Sequence, residues 1–257
     1  MMKSRRSFLK ISGACLLGLG VKPVLNAFAQ AERMEIAPNP NALRAGRWAL
    51  VVDITKCRDD CTDCINACNR AHNIPDLGRT KEEVKWIWNE SYEHAFPGVE
   101  HEFVEERVKH QPFMVLCNHC DNPPCVRVCP VQATWKREDG IVMMDFHRCI
   151  GCRCCMAACP YGSRSFNWTD PRPYIPEGRM NPDFPTRTKG VVEKCNFCVE
   201  RLAKGLQPAC VESCSSGVLT FGDLDDPNSE VRKVLGERYS IQRKPELGTR
   251  PRVYYIL

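Results

Sequence analysis

Short runs of apolar residues predict three β-strands. Residues 47–53 (RWALVVD) and 140–145 (GIVMMD) contain β-branched and other apolar side chains, and each run ends just before a group of cysteines. Residues 253–257 (VYYIL) form a third strand-like run. Residues 229–237 have an amphipathic pattern, and the acidic turn at residues 223–227 can start a helix there. These short elements predict an α+β fold.

Two longer stretches lack a clear period. Residues 73–110 contain the run KEEVKWIW, which fits either a short helix or a short strand, and we expect its aromatic side chains to join a local core. Residues 166–185 include five prolines between positions 171 and 185, which predicts an extended surface loop. After residue 29 no window of about 18 apolar residues occurs, so no membrane-spanning helix is predicted there.

Cysteine is the unusual residue of this chain, with 18 cysteines in 257 residues. Cys15 stands apart, and the other cysteines fall into four groups. The first is Cys57, Cys61, Cys64 and Cys68; the second is Cys117, Cys120, Cys125 and Cys129; the third is Cys149, Cys152, Cys155 and Cys159, with Cys154 in addition; the fourth is Cys195, Cys198, Cys210 and Cys214. In each group three residues separate the last two of these cysteines, so the groups share one pattern and provide sixteen candidate ligands.

The third group, CIGCRCCMAACP, has the bacterial ferredoxin spacing CxxCxxCxxxCP. Gaps of two residues let a tight loop surround three corners of a cubane-shaped iron–sulfur cluster, and the gap of three starts a helix that carries the fourth sulfur away. Pro160 and Pro130 fix φ after the third and second groups, whereas Asn69 and Ser215 follow the first and fourth groups. The first loop departs from the motif, because its CRDDC run is one residue longer than CxxC.

Three alternatives compete with four intact [4Fe-4S] clusters. Disulfides suit an exported protein, but neighbouring thiols at two-residue spacing are poorly placed to pair within a group. Zinc accepts CxxC pairs, but zinc modules use two pairs separated by a loop and do not require a CxxCxxCxxxCP run. A three-iron cluster requires a missing ligand, and no ligand position is substituted here. Four clusters are therefore the favoured count.

Four residues beside the ligands are not needed as ligands. Cys154 breaks the regular spacing that its neighbours keep, so we expect it to pack or to support the ligands indirectly. His72, His119 and His147 lie close to ligand cysteines in the sequence. Since all sixteen thiolates are present, we expect these imidazoles to form hydrogen bonds or to lie at the surface.

The formal net charge of +5 belongs to the first 29 residues, which carry five basic residues and no acidic one. The run SRRSFLK at residues 4–10 resembles the twin-arginine export signal, and an apolar stretch at residues 11–21 and the small-residue site AFA at residues 27–29 follow it. We expect cleavage after Ala29, with a retained N-terminal anchor as the alternative. The rest of the sequence is formally neutral and gives no indication of nucleic-acid binding.

Bacterial ferredoxins are internally duplicated, and their rule that three thiolates share a cluster with a distant fourth implies four ligand sets here. Set 1 is Cys57, Cys61, Cys64 and Cys214; set 2 is Cys117, Cys120, Cys125 and Cys159; set 3 is Cys149, Cys152, Cys155 and Cys129; set 4 is Cys195, Cys198, Cys210 and Cys68. The implied organisation is a first ferredoxin module at residues 30–72 and 186–222, an insertion at 73–110, a second ferredoxin module at 111–165, a Pro-rich loop at 166–185 and a C-terminal extension at 223–257.

From residue 47 onward the chain resembles the DmsB/NrfC-like electron-transfer subunits that accompany molybdopterin oxidoreductases and their relatives. The export signal and the runs CRDDCTDCINACNRAHNIPD and KWIWNESYEHAFP look more like the DsrO family, the exported iron–sulfur subunits of the Dsr membrane complex of sulfur-metabolising prokaryotes. That resemblance implies a place on the outer, periplasmic face of the cytoplasmic membrane. It also implies two partners, a quinone-interacting integral membrane subunit of the NrfD type and a multihaem cytochrome c.

The resemblance further implies a subunit that is not catalytic on its own and passes single electrons along four [4Fe-4S] clusters. No Gly-rich phosphate loop, Ser/His/Asp arrangement or flavin fingerprint occurs in the sequence. One alternative keeps electron transfer but pairs the subunit with a molybdopterin reductase of the polysulfide, tetrathionate or dimethyl sulfoxide type, or with an NrfC-like nitrite-reducing complex. Another is a regulatory or structural cluster protein, for which one cluster would suffice.

Overall fold

The computed structural model describes residues 39–58, 60–99 and 103–257, and the predicted export signal, with Cys15, lies outside them. The strands are β1 (Trp48–Asp53), β2 (Ile87–Glu90), β3 (Phe113–Leu116), β4 (Thr134–Lys136), β5 (Val142–Met144), β6 (Ser165–Phe166), β7 (Val192–Glu193), β8 (Leu219–Asp223) and β9 (Val253–Ile256). The α-helices are α1 (Asp63–Ala71), α2 (Tyr92–Ala95), α3 (Glu106–His110), α4 (Pro124–Arg127), α5 (Cys154–Ala157), α6 (Val199–Leu202), α7 (Ala209–Glu212) and α8 (Glu230–Glu237). Short 3-10 helices lie at Ile54–Lys56, Thr80–Glu82, Arg172–Tyr174 and Pro245–Leu247.

A three-stranded sheet joins distant parts of the sequence. Its central strand β1 is buried at all six positions. It pairs antiparallel with β8 and parallel with β9, so that Leu50 lies opposite Phe221 on one side and Val253 on the other. A strand covered on both faces needs a continuous apolar run, which is the pattern that the sequence has there. The strands predicted at residues 47–53 and 253–257 are confirmed.

Three two-stranded antiparallel ladders complete the strand pairing of the described residues: β2 with β3, β4 with β5, and β6 with β7. The strand predicted at residues 140–145 is confirmed as β5. Each cysteine group lies between two strands in the sequence, and β1, which precedes the first group, pairs with β8, which follows the fourth. The β4–β5 hairpin instead pairs the strand that follows the second group with the strand that precedes the third.

Three aromatic residues of the 73–110 segment belong to the core, whereas Phe103 is exposed. Trp86, Tyr92 and Phe96 are all buried. The ring of Phe96 packs edge-on against Phe113 of β3, with centroids 5.4 Å apart, and against Tyr255 of β9, at 5.1 Å. The expected local core is confirmed, and these contacts connect the segment to the central sheet.

Helix α8 packs against the central sheet. Val231 of α8 is buried together with Ala49 and Val51 of β1 and Ile256 of β9, while the following Arg232 and Lys233 are exposed. The amphipathic helix predicted at residues 229–237 is therefore confirmed. Its N-cap residue Ser229 forms no side-chain capping hydrogen bond.

Half of the residues of the Pro-rich segment 166–185 are exposed, and its end is fixed to the core. Phe184 is buried, and its ring lies edge-on to His72 with centroids 4.8 Å apart. Asn73 holds the same segment, because its Nδ2 donates to the carbonyl groups of Asn181 and Phe184 at 2.9 and 2.7 Å. Within the described part of the sequence, no helix has both the length and the apolar character needed to cross a bilayer.

Candidate functional site

The cysteine loops share a left-handed turn. In the CxxC loops of the second, third and fourth groups, the residue before the second cysteine has a positive φ, of 41° at His119, 71° at Gly151 and 54° at Phe197. Backbone amides in such turns point toward the inside of the loop, where they can donate to sulfur. The N–H of Phe197, for example, donates to Cys195 Sγ at 3.4 Å. The loop backbone is thus arranged to surround an anionic group.

The cysteines of set 1 lie together beside the start of α1. Burial raises the pKa of Cys64 to about 12, and the neighbouring thiols of Cys57, Cys214 and Cys61 contribute to this rise. All four thiols of this set are partly exposed. The guanidinium of Arg58 donates from Nη2 to Cys61 Sγ at 3.7 Å. Three cysteines from the first group and one from the fourth therefore meet at one place.

Set 4 is buried at all four positions. Cys68 comes from α1, and the other three cysteines belong to the fourth group. Burial holds the pKa of Cys68 well above its ordinary value, and the thiols of Cys195, Cys198 and Cys210 add to this effect. The backbone N–H of Ala209 donates to Cys198 Sγ at 3.4 Å. Helix α1 therefore contributes Cys64 to one set and Cys68 to the next.

Sets 2 and 3 each line a cavity of their own. All four cysteines of set 2 line one cavity, together with Arg164. All four cysteines of set 3 line another, together with Thr134 and Met144. The backbone N–H of Ala133 donates to Cys129 Sγ in the second of these cavities at 3.2 Å. The structure thus brings together the same four cysteines that the ferredoxin rule implies for each of these two sets.

The extra cysteine lies at the surface. Cys154 is exposed and is not among the residues that line the cavity of set 3. Its Sγ lies 3.9 Å from the carbonyl oxygen of Cys152. Cys154 is therefore not packed into the core, and its sulfur contacts the backbone of a neighbouring set 3 cysteine.

Two of the three histidines form buried hydrogen bonds, as expected. Nε2 of His72 lies 2.8 Å from Glu200 Oε1, and its Nδ1 lies 3.0 Å from the carbonyl oxygen of Cys68. Nδ1 of His119 accepts the N–H of Val142 at 3.1 Å. Burial, followed by the positive charges around it, holds the pKa of His119 well below its ordinary value, so this imidazole is neutral. His147 is exposed, which is the other expected outcome.

Thiols of different sets also lie near one another. Burial raises the pKa of Cys210, and the thiols of Cys195 and Cys64 add to this rise. Because Cys64 belongs to set 1, sets 4 and 1 are neighbours. Burial, followed by the thiol of Cys117, raises the pKa of Cys195 to about 12, which relates set 4 to set 2. Burial also raises the pKa of Cys155, and Cys125 adds to this effect, which relates set 3 to set 2. The spatial order of the sets is therefore 1, 4, 2, 3.

The solvent exposure of the cysteines agrees with this spatial order of the sets. The cysteines of set 4 are all buried, and so are three of the four in set 2. In set 1 every cysteine is partly exposed, and in set 3 Cys152 is exposed, with Cys129 and Cys149 partly so. The two middle sets are thus shielded by protein, and the two outer sets reach toward the surface.

Sequence reasoning missed the buried cations. Five cationic side chains of the described residues are at most 5% exposed: Arg164, Arg187, Lys194, Arg243 and Arg252. Nζ of Lys194 donates to the carbonyl oxygen of Cys195 at 2.7 Å and also to that of Val142. Charged residues are rarely buried, so the residue type alone gives no indication that these side chains lie in the core. One sequence feature could have indicated a cation near the ligands. Arg164 lies five residues after the last cysteine of its group, at an equivalent position of the internal repeat.

The donor set fits iron–sulfur clusters. The pKa values of many of these thiols are raised by burial and by one another, so free thiolates would be unstable at these places. Iron compensates that cost, because thiolate ligands coordinate its positive charge. Each set offers four sulfurs, the number that a [4Fe-4S] cluster requires, and backbone N–H groups donate to sulfurs of sets 3 and 4.

Comparison with known proteins agrees with this chemistry. The 4Fe-4S dicluster domain family matches residues 108–172 and 181–224. Iron-sulfur subunit 1 of the Hdr-like menaquinol oxidoreductase of Archaeoglobus fulgidus is 39% identical to this chain, over 99% of the chain and 98% of that protein. The protein belongs to the DmsB/NrfC-like family of iron–sulfur subunits.

Two further relatives cover much of the sequence. The iron-sulfur cluster-binding subunit of the menaquinone reductase of Nitratidesulfovibrio vulgaris is 37% identical, over 82% of this chain and 88% of that protein. The B subunit of the tetrathionate reductase of Salmonella typhimurium is 36% identical, over 100% of this chain and 89% of that protein. This DmsB/NrfC-like protein carries four [4Fe-4S] clusters and transfers electrons, and it is not catalytic on its own.

Proposed function

We propose that sets 1 to 4 each hold one [4Fe-4S] cluster and that single electrons pass along the sets in the order 1, 4, 2, 3, in either direction. The observation that carries this proposal is the agreement between the order of the sets and their exposure. A [4Fe-4S] cluster accepts or releases one electron, with a potential set by N–H···S bonds, solvent access and nearby charge. The half-exposed thiols of set 1 and the exposed Cys152 of set 3 provide two ends where partners exchange electrons.

The protein supports this transfer by excluding water from the middle of the row. The buried thiols of set 4 and the backbone amides that face them form a dry, rigid surrounding. His119 and Phe197 occupy equivalent loop positions beside sets 2 and 4, and their rings stack with centroids 3.7 Å apart. This stack closes the junction between the two middle sets.

The same arrangement supports two interleaved ferredoxin modules, at residues 30–72 with 186–222 and at residues 111–165. Pairing of β1 with β8 connects the sequence before the first cysteine group to the sequence after the fourth. Pairing of β4 with β5 connects the sequence after the second group to the sequence before the third. Residues 73–110 then form an insertion that adds an aromatic core, and residues 166–185 and 223–257 are the Pro-rich loop and the C-terminal extension.

The proposed partner is an integral membrane subunit of the NrfD type that exchanges electrons with a quinone, together with a multihaem cytochrome c. The names of two relatives include a menaquinol oxidoreductase and a menaquinone reductase, which supports a quinone partner. The twin-arginine motif supports export to the periplasmic face of the cytoplasmic membrane. The runs shared with the DsrO family support a Dsr-type complex of sulfur metabolism.

A second candidate keeps the electron-transfer role but changes the partner. The relatives that are named as components of a tetrathionate reductase and a polysulfide reductase favour a reductase complex in which the electron partner is a catalytic subunit. Chemical crosslinking in native membranes, followed by mass spectrometry of partners, distinguishes the two. A crosslinked molybdopterin subunit supports the second candidate, whereas a quinone-interacting membrane subunit without it supports the first.

The test of the cluster proposal is anaerobic purification followed by iron and sulfide quantitation and low-temperature EPR of the dithionite-reduced protein. We expect about sixteen irons per protein molecule, as four clusters of four require, and spin-coupled signals between neighbouring clusters. Zinc in place of iron would contradict the proposal. Substitution of Cys214 by Ser should disturb the same cluster as substitution of Cys57, because both belong to set 1, and signals from different clusters would disprove that set.

A further inference from the structure

Arg164 is a buried cation without a carboxylate partner. The residue is 5% exposed, and no Asp or Glu of the described residues forms an ion pair with its guanidinium. An arginine side chain stays protonated in proteins. A buried charge needs a counter-charge or a full set of hydrogen bonds. Since no carboxylate pairs with it, any counter-charge for Arg164 comes from other groups nearby.

The guanidinium lies between two cysteine cavities. Arg164 itself lines the cavity of set 2. Its Nη2 donates to Thr134 Oγ1 at 2.8 Å, and its Nη1 lies 3.8 Å from Met144 Sδ. Thr134 and Met144 both line the cavity of set 3. One side chain thus forms part of the wall between the two cavities and contacts residues of both.

The sulfurs on either side provide the counter-charge. Burial opposes the protonated form of Arg164, but the thiols of Cys125, Cys155 and Cys117 outweigh it and raise the pKa of this guanidinium. Cys125 and Cys117 belong to set 2, and Cys155 belongs to set 3. In return, Arg164 opposes the effect of burial on the pKa of Cys155. The charge is shared between the two sets.

The internal repeat places this arginine beside one pair of sets. The fifth residue after the last cysteine of a group is Asn73 in the first group, Thr134 in the second, Arg164 in the third and Leu219 in the fourth. Thr134 and Arg164 are thus equivalent positions that meet through a hydrogen bond. In the two groups that contribute to sets 1 and 4, neither equivalent residue carries a charge.

We propose that Arg164 is a positioning residue that acts as a fixed cation shared by the clusters of sets 2 and 3 and raises the reduction potentials of both. The proposal rests on the proposed ligand sets. Reduction adds a negative charge to a cluster, and a fixed positive charge in a low-dielectric surrounding stabilises the reduced form. Arg164 therefore biases electrons toward the half of the row that ends at the exposed Cys152.

The test is an EPR-monitored redox titration of the purified, cluster-loaded Arg164→Met and Arg164→Lys proteins. In Arg164→Met we expect the potentials of two clusters to fall by at least about 59 mV, which is a tenfold change in the reduced-to-oxidised ratio of a one-electron couple. The other two clusters should change much less. Arg164→Lys keeps the charge and should retain most of the wild-type potentials. Lys233→Met removes a positive charge from the exposed face of α8 and should leave all four potentials unchanged.

Assignment of the signals makes the result specific. Cys159→Ser disturbs the cluster of set 2 and Cys129→Ser that of set 3, so the affected signals identify the two clusters. Four unchanged potentials in Arg164→Met, or an equal fall in all four, would overturn the proposed role of Arg164 and leave the four-cluster function intact. A wild-type protein without four reducible clusters would instead overturn the proposed function.

A second variant covers the case in which Arg164→Met fails to load its clusters. Thr134→Val keeps the charge and the volume but removes the acceptor that holds Nη2. We expect it to shift the potentials of the same two clusters by less than the expected shift for Arg164→Met. Potentials identical to the wild type in Thr134→Val, with full iron content, would then contradict the proposal.

Discussion

Arg187 and Glu193 form an ion pair that has no solvent exposure, with Arg187 Nη2 2.7 Å from Glu193 Oε2. The carboxylate also accepts the indole N–H of Trp86 at 2.8 Å and the side-chain amide of Asn167 at 2.6 Å. The guanidinium in turn donates to the backbone carbonyl group of Asn73 at 3.0 Å. One buried pair thereby joins the residues after α1, the aromatic core of segment 73–110 and β7.

Loss of one partner of this pair should be strongly destabilising. Glu193→Gln leaves the Arg187 charge buried without a counter-ion, and breaking a buried pair in this way costs about 3–5 kcal/mol. We expect the denaturant midpoint of the cluster-loaded protein to fall accordingly. Its visible absorbance monitors the unfolding. Arg187→Met combined with Glu193→Gln should cost less than the sum of the two single changes, because neither charge is then left alone.

A matched surface pair provides the control. Lys204 Nζ lies 2.8 Å from Asp183 Oδ2, but both side chains are more than half exposed. Exposed pairs contribute little to stability, so Asp183→Asn should change the midpoint far less than Glu193→Gln. Equal effects of the two substitutions would show that the burial of Arg187 and Glu193 is not what makes their pairing important.

Local patterns predicted much of the fold and the candidate ligands. The apolar runs identified β1, β5 and β9, because a buried strand needs such a run wherever it pairs. The ligand loops could be predicted for a similar reason, since sulfur spacing within a loop is a local property. Strand β2 was ambiguous, because its pairing with β3 depends on a segment more than 20 residues away in the sequence.

The buried charges could not be predicted from local patterns. Arg187 lies in a polar, proline-rich sequence that is typical of an exposed loop, and its carboxylate partner becomes necessary only in the folded protein. Trp86 and Glu193 are 107 positions apart, so no periodicity relates them. Arg164 is similar, because its counter-charge comes from cysteine sulfurs rather than from a carboxylate.

Gly140 should be intolerant of alanine. Its φ is +82°, and a methyl group at this position would overlap the guanidinium of Arg252. Arg252 donates to Asp121 Oδ1 at 2.8 Å and to the carbonyl oxygen of Asp139 at 3.1 Å, so its displacement would break both contacts. We expect Gly140→Ala to lower stability by the roughly 1–3 kcal/mol of a strained backbone and by the loss of the charged hydrogen bonds in addition.

Gly178 separates these two effects. Its φ is +73°, but an added methyl group would meet nothing within 4 Å. Gly178→Ala should therefore show the backbone cost alone and a smaller fall of the denaturant midpoint than Gly140→Ala. A fall as large as that of Gly140→Ala would show that the contact with Arg252 is unimportant.

Asp53 should stabilise the fold down to mildly acidic pH. Burial would raise the pKa of this carboxyl, but hydrogen bonds from Thr55 and Lys56 and the positive charges of Lys56 and Arg238 outweigh it, so the pKa is lowered. A carboxyl with a lowered folded-state pKa contributes stability above its unfolded pKa of about 3.9 and loses it as the pH falls through the folded value. The stability difference between the wild type and Asp53→Asn should therefore be constant from about pH 8 to pH 5.

The measurement is the denaturant midpoint of both proteins at several pH values in that range. Charged hydrogen bonds contribute about 1.5–3 kcal/mol, which sets the expected size of the difference. A difference that already shrinks between pH 7 and pH 5 would mean that burial dominates and that the pKa of Asp53 is raised. Thr55→Ala removes one donor, at 2.5 Å, and should give part of the effect of Asp53→Asn.

Cys152 and Cys154 should differ sharply although both are exposed and only two positions apart. Cys152 lines the cavity of set 3, whereas Cys154 does not. We expect Cys152→Ser to lose or convert one of the four clusters, which would show as a lower iron content and a changed EPR spectrum. Cys154→Ser should keep the full iron and sulfide content, because no ligand is removed. Loss of a cluster in Cys154→Ser with retention in Cys152→Ser would mean that the extra cysteine, and not its neighbour, completes set 3.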